Sequence, residues 1–380
     1  MITCLFTDGD LTPLGQPLVR FNQLQCTLRF NEPDSTVLTV PALPAYLDMA
    51  QPGNRLVVIR DGEILTAGPI EYPAKFDWSA DSSSGSGDPG VLTIGATDDT
   101  VHLAGHRVYP NPALASNVQD TDFYTSTANA EVAMRALVNL NAGPGALAAR
   151  QVPHLILGTL ASVGTSINVR SRFDALSDQL RAAALAGGGL GFRIAQDGTD
   201  LKFEVYGPAD LSALVRFSRG LGNLRTISYQ TQGPTATVAI VGGDGTGTSR
   251  TIVEREDTAA TAVWGRLETW VGDTSAVTTD LNQSGDDALA AAAEQVQLTV
   301  FAVDTPLQRF GVDYRLGDRV AVEVYPGLQV TDVVRAVTLT ATKDGEVVQP
   351  QIGSTSMTAD LQTVRQLRAL DVRLGRLERT

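Results

Sequence analysis

Residues 23–30 (QLQCTLRF) put Leu24, Cys26, Leu28 and Phe30 at every second position. A period of two is the mark of a strand with one buried face, and a one-residue slip would turn every apolar side chain into water. The pattern recurs. STVLTV (35–40) follows a Pro-Asp turn, and RLVVIR (55–60) meets EILTAG (63–68) across Asp61-Gly62. Asp-Gly between two apolar runs is a strong hairpin signal, because both turn positions must accept positive φ. VLTIGA (91–96) resumes the series after ADSSSGSGDPG (80–90), a segment with no large apolar side chain that reads as a flexible surface loop. Short strands joined by tight turns point to a barrel or sandwich.

The middle of the chain changes period. ANAEVAMRALVNLN (128–141) aligns Val132, Ala133, Ala136, Leu137 and Leu140 on one helix face and stops at Gly143-Pro144. DALSDQLRAAALA (174–186) groups Leu176, Leu180, Ala183 and Ala184, with Asp174 as the expected N-cap and Gly187-Gly188-Gly189 as the stop. LGFRIA and LKFEVY (190–206) then form a hairpin. From residue 223 the chain returns to strands, interrupted by an expected short helix over 286–297 with Asp286 and Asp287 at its positive end. The reading is mainly β with α+β insertions. It comprises a first β domain, barrel or sandwich (1–104), an α+β domain (105–222), a second β domain with a short helix (223–353) and a C-terminal helix (354–380). In that helix Leu367, Leu370, Leu374 and Leu377 fall at the 3-4-3 spacing of a coiled-coil seam, which makes them the oligomer-interface candidates.

Composition narrows the function. The 380 residues suggest two or three domains. The net charge of −13 and the lack of a Lys/Arg-rich run argue against gripping nucleic acid. With 43% hydrophobic and 19% charged residues the chain is not broadly disordered. No apolar run reaches the roughly 20 residues that span a bilayer. The opening MITCLFTDGD lacks the basic and apolar regions of a secretory signal, so synthesis in the cytoplasm with no export by that route is expected.

Catalytic patterns are sparse. Cys4 and Cys26 read as buried, reduced thiols. His102 and His106 have a metal-like spacing, but HLAGH lacks the Glu of a zincin and Gly105 argues against a helix. Gly243-Asp244-Gly245-Thr246 resembles the phosphate loop of the diacylglycerol and NAD kinases, yet the β-like TSRTIVERE follows where a helix is needed, so a glycine-rich hairpin loop is expected. There is no P-loop and no nucleophile elbow. Acids such as Asp8, Asp10, Asp98 and Asp99 read as solvated turn residues, and Trp78, Trp264 and Trp270 as core packing rather than a sugar platform. Neither a metal nor a cofactor is implied.

Four segments in order resemble one family, the tail-tip hub proteins of siphophages that infect actinobacteria, similar in plan to the trimeric baseplate hub of contractile-tailed phages. They are LVRFNQLQCTLRFNEPDSTVLTVPA leading to LVVIRDGEILTAGPI, then FDALSDQLRAAALAGGGLGFRI, then LVRFSRGLGNLRTISY, and last YRLGDRVAVEV through VVRAVTLTATKDGEVVQPQIGS. The resemblance implies that the two β domains, 1–104 and 223–353, are related β-barrels whose three copies make a pseudo-sixfold ring. It also implies a structural rather than enzymatic role at the distal end of the virion tail. It implies as partners two further copies of the chain, the distal tail protein ring, the tape measure protein and tip fibre or spike proteins. DNA passes only in transit, past an acidic wall that repels phosphate. The alternative is a tail protein that binds or depolymerises host cell-wall carbohydrate.

Overall fold

The computed structural model describes residues 1–71, 75–78, 89–272, 278–293 and 295–353. The chain is mainly β with few helices. It divides into a first unit, Met1–Thr226 with Val300–Ile352, and a second that includes Ile227–Thr299.

The main sheet of the first unit is built on the predicted alternation. Gln23–Arg29 pairs antiparallel with Ser35–Pro41 on one side and with the long Leu328–Thr342 strand on the other. Ser35–Pro41 continues to Val91–Thr97 and then Lys75–Asp77, and Leu328–Thr342 turns back into Gly345–Gly353. Register puts buried side chains in rows across the strands. Ile94, Leu38, Leu24 and Ala341 form one row, and Ala96, Thr36, Cys26, Leu339 and Val348 form the next. The early part of the long strand pairs instead with Arg319–Tyr325, which carries the short parallel strand Arg216–Phe217. A separate three-stranded sheet joins Ile2–Thr7, Arg55–Arg60 and Glu63–Pro69. Its predicted turn is present, with Asp61 at φ 54° and Gly62 at φ 92°.

Two closed barrels are expected from the sequence. Among the described residues no strand order closes on itself. Instead, the strand at residues 23–29 and the hairpin at residues 328–353 belong to one sheet.

Within the first unit, residues from Leu103 to Val205, together with Leu11, share one hydrophobic core. Helices Ala130–Asn141 and Leu176–Ala186 pack there with the ribbon of Tyr124–Asn129 and Ser166–Ser171 and with the sheet of Leu155–Leu157, Gly191–Asp197 and Asp200–Tyr206. Two details differ from expectation. The first helix buries Ala130, Ala133, Met134, Leu137 and Val138, while Val132 is exposed. The face turns because Glu131 is buried, its carboxylate accepting hydrogen bonds from the Ala161 and Val163 amides at 2.7 and 3.0 Å. The second helix has Ala175 at its N-cap. Asp174 accepts instead from the Ser171 hydroxyl at 2.8 Å and from the Gln179 side chain at 3.1 Å, so it closes the preceding turn.

In the second unit Val238–Gly242 lies between antiparallel Ile252–Glu256 and parallel Glu268–Gly272. The short helix Thr258–Trp264 links the two outer strands, its first turn capped by the Asp257 carboxylate. The helix expected over 286–297 runs from Thr278 to Ala292, and Gln295–Ala302 is a strand. The helix thus starts eight residues before the expected position, and Gly285 sits inside it against the sheet. A Cβ there would lie 2.5 Å from the Arg255 side chain and 3.0 Å from Val241. Asp286 is therefore mid-helix, where it accepts two hydrogen bonds from Arg255 at 2.7 and 3.1 Å. Among the described residues no helix is long and apolar enough to cross a membrane.

Leu339 is fully buried in the strand that both halves of the main sheet share. Leu339→Ala is expected to cost about 2–5 kcal/mol. In urea denaturation the N-terminal strand and the C-terminal hairpin should lose structure in the same transition. Independent loss of the two, followed by hydrogen exchange, would contradict the shared-sheet account.

Candidate functional site

A buried polar cluster lies where strand Arg55–Arg60 passes the end of Val91–Thr97. Arg55 and Asp99 form a bidentate ion pair, with Nη2 to Oδ2 at 2.7 Å, and their side chains are 5% and 0% exposed. Arg55 Nη2 also donates to Gln196 Oε1 at 3.1 Å. Asp98 accepts from the Thr100 hydroxyl at 2.6 Å and from the Asp34 amide at 2.9 Å. Asp34 in turn accepts from the Arg29 amide at 2.7 Å. The strands come close enough because Gly68 has no side chain, and a Cβ there would meet the Thr97 carbonyl at 2.2 Å. Asp98 and Asp99 are thus buried, not solvated turn acids. Placing an Arg and an acid at strand ends let the backbone amides and the ion pair satisfy groups that the sequence displayed as ordinary polar punctuation.

Burial pushes Asp98 up to about 6, against the hydrogen bonds from Thr100 and Asp34 that lower it. Desolvation, and then the charge of Asp98, hold Asp34 well above the usual carboxylate range. His102, 3.7 Å from Asp99, is lowered by burial. Every carboxylate here is tied to an arginine, a hydroxyl or a backbone amide, and no nucleophile accompanies them. The arrangement clasps elements together. Asn31 acts in the same way from the next turn: at φ 61° it donates to the Leu190 carbonyl at 2.9 Å and accepts from the Phe192 amide at 2.8 Å. The only signal for these residues in the sequence is an Arg opening an apolar strand and an acid pair closing another.

The other sequence candidates separate. Residues 242–248 form a hairpin loop between Val238–Gly242 and Ile252–Glu256, and the Asp244 carboxylate accepts from the next amide at 2.8 Å. One 3-10 turn, Gly247–Ser249, and then the expected strand follow, in place of the α-helix that a phosphate loop requires. Cys4 and Cys26 are buried and unbridged, each thiol raised to about 12 chiefly by burial. A short helix, Val101–Ala104, forms despite Gly105, which caps it. His106 has its ring nitrogens 2.6 and 2.9 Å from the carbonyls of His102 and Arg150. Among the described residues no cluster of His, Cys, Asp and Glu could hold a metal. Asp8 closes a local turn through the amides of Asp10 and Thr12. The tryptophans are not core residues: Trp78, Trp264 and Trp270 are 58%, 47% and 55% exposed. Trp264 ends a helix and Trp270 lies in a strand. Leu367, Leu370, Leu374 and Leu377, like most of the 80–90 loop, lie outside the described residues.

A cleft of about 410 Å³ opens beside Arg60, Asp304, Phe310 and Glu346. Its charged groups are already matched, Arg60 with Glu346 at 2.6 Å and Asp304 with the Tyr314 hydroxyl and the Phe310 amide.

A family model described as Siphovirus ReqiPepy6 Gp37-like protein matches residues 3–354. The chain belongs to this family. No curated protein matches it. Among solved structures it is similar to the 43 kDa tail protein of prophage MuSo2 from Shewanella oneidensis, at 12% identity and TM-score 0.55 over 92% of this chain and 97% of that one. It is also similar to a tail protein from Neisseria meningitidis MC58, at 16% identity and TM-score 0.54 over 93% and 97%. Prophage tail protein gp18 from Listeria monocytogenes EGD-e matches at 12% identity and TM-score 0.53 over 96% and 98%. At these identities the likeness is one of fold, and this chain shares the fold of these three tail proteins.

Two variants test the clasp. Asp99→Ala leaves Arg55 buried without its partner and is expected to cost about 3–5 kcal/mol in chemical denaturation. Asp98→Asn bears on pH. With its folded-state value near 6, above the unfolded one, Asp98 keeps its proton in the fold after the unfolded chain has lost it. Its contribution to stability therefore falls as pH rises from about 4 to 6. The variant should flatten the stability profile across that window, measured by urea midpoints.

Proposed function

We propose that this chain is a structural, non-enzymatic component of the phage tail tip, a homotrimeric hub that joins the sixfold tail tube to threefold tip proteins and lines the DNA exit channel. The observation that carries this reading is the extent of the fold match, since the tail-protein fold spans 92–96% of this chain and 97–98% of the three relatives. Two β regions per copy give six around a threefold axis, which reconciles the two symmetries. Among the described residues the sheets of one copy end in open strand orders. Exposed strand edges favour pairing, and closing them against neighbouring copies, as barrels or as a ring, removes that liability. An acidic chain of net charge −13 suits a wall past which DNA must move without sticking.

In this reading the hub sits at the distal end of the virion tail. The partners are two further copies, the distal tail protein ring, the tape measure protein and the tip fibre or spike proteins. The heptad leucines Leu367, Leu370, Leu374 and Leu377 form a threefold stalk. The carbohydrate-binding alternative draws on the exposed tryptophans Trp78, Trp264 and Trp270.

Antibody against this protein should label the far tip of intact virions in electron micrographs, and label along the tube or at the head would refute the placement. In light scattering the full chain should have the mass of three copies. Leu370→Asp with Leu374→Asp should weaken that association by putting charge into the apolar seam.

A further inference from the structure

The three-stranded sheet of the second unit has one face under a helix and another that buries Val238 at one end and, among the described residues, is exposed at Ile252 and Trp270. Helix Thr278–Ala292 lies against Val241 and Arg255. Strand alternation sends Ile240, Ile252, Glu254, Glu256, Glu268 and Trp270 to the other side. There Ile252 and Trp270 are 52% and 55% exposed. The indole is held flat. A Cβ on Gly242 would lie 2.5 Å from its ring, and the Arg250 guanidinium stands 5.3 Å from the ring centroid. Arg250 is itself anchored to the Gly242 and Gly243 carbonyls at 2.9 and 2.8 Å. Around this platform Arg266 ties Glu254 to Glu268, both at 2.7 Å, whereas Glu256 has no ion pair among the described residues. A rigid tryptophan with an isoleucine, rimmed by charge, has the make-up of an interface centre.

The charge points to the occupant. On this face Glu254, Glu256 and Glu268 stand against Arg250 and Arg266, which leaves Glu256 as its unmatched charge among the described residues. The stretch 211–243 carries Arg216, Arg219 and Arg225 and no acid. Arg216 is paired with Glu323, but Arg219 and Arg225 have no ion-pair partner among the described residues. Beside them Leu214 and Leu221 are 79% and 53% exposed. One chain therefore displays an acidic apolar face and a basic apolar segment.

We infer that the Trp270 face of one copy receives the 214–225 segment of a second copy. The contact is heterologous, using two different surfaces, so each copy gives one and takes one, and the chain of contacts closes as a ring. This rests on the hub reading and names the surfaces through which its copies meet.

The test uses the full chain and two double variants, Trp270→Ala with Glu256→Lys on the face, and Arg219→Glu with Arg225→Glu on the segment. All four positions are exposed or at strand ends, and unchanged circular dichroism establishes that the variants fold. Each variant alone should show a dissociation constant raised at least tenfold in sedimentation. An equimolar mixture should form two-chain particles at concentrations where neither variant associates, because one intact face can still meet one intact segment. If the wild-type chain forms multimers and both variants keep that mass, the inference is overturned and the hub reading stands. A wild-type chain that stays single overturns both.

Discussion

The antiparallel pairing of Gln23–Arg29 with residues 336–342 holds the first unit together. It joins the start of the chain to its far end, across a separation of about 300 residues, and aligns Leu24, Cys26 and Leu28 with Ala341, Leu339 and Val337. Without it the N-terminal strands have one edge unpaired and the C-terminal hairpin buries only half of its face. Everything between, including the helical core and the second unit, is a long excursion within this one closure. Contacts of such sequence separation are entropically costly to form, and folding of the main sheet is expected to be slow for that reason.

Polar groups complete what the apolar rows begin. The Arg55–Asp99 pair is buried on both sides, where desolvation offsets much of the Coulomb attraction. Its value is positional. By reaching Gln196 it links the small sheet to the strand Gly191–Asp197, and Asn31 makes a second link at the start of that strand. The neighbouring Asp98 and Asp34 share a desolvated space that favours one of them protonated. The helical core is thereby fastened to the β framework by hydrogen bonds of fixed direction, which hold orientation where apolar packing alone would tolerate sliding.

A tail component has to present surfaces, not a pocket, and the side chains left outside the cores fit that demand. The cleft at Arg60 has its charges matched from within. Trp270, held flat on Gly242, and the unmatched Arg219 and Arg225 are where one copy has chemistry to spare. In the proposed ring these surfaces and the open sheet edges are satisfied by neighbours, so the finished assembly, not the single chain, is the unit with a closed core.

The sequence by itself determined the strands, the hairpin turn at Asp61-Gly62, the two helices of the core and the family, because period, turn chemistry and motif order are local properties. It mistook one helix face because a buried Glu131 is invisible to hydrophobic counting, and it started the later helix at residue 286, whereas the helix begins at Thr278 and holds Gly285 against Arg255 and Val241. It read Asp98 and Asp99 as solvated and the tryptophans as core, since burial of a charge depends on whether an arginine arrives from another strand. Only the tertiary structure decided that residues 23–29 and 328–353 form one sheet. Strand partners are chosen by long-range register and packing, and an alternating segment carries no label naming which distant edge it will meet.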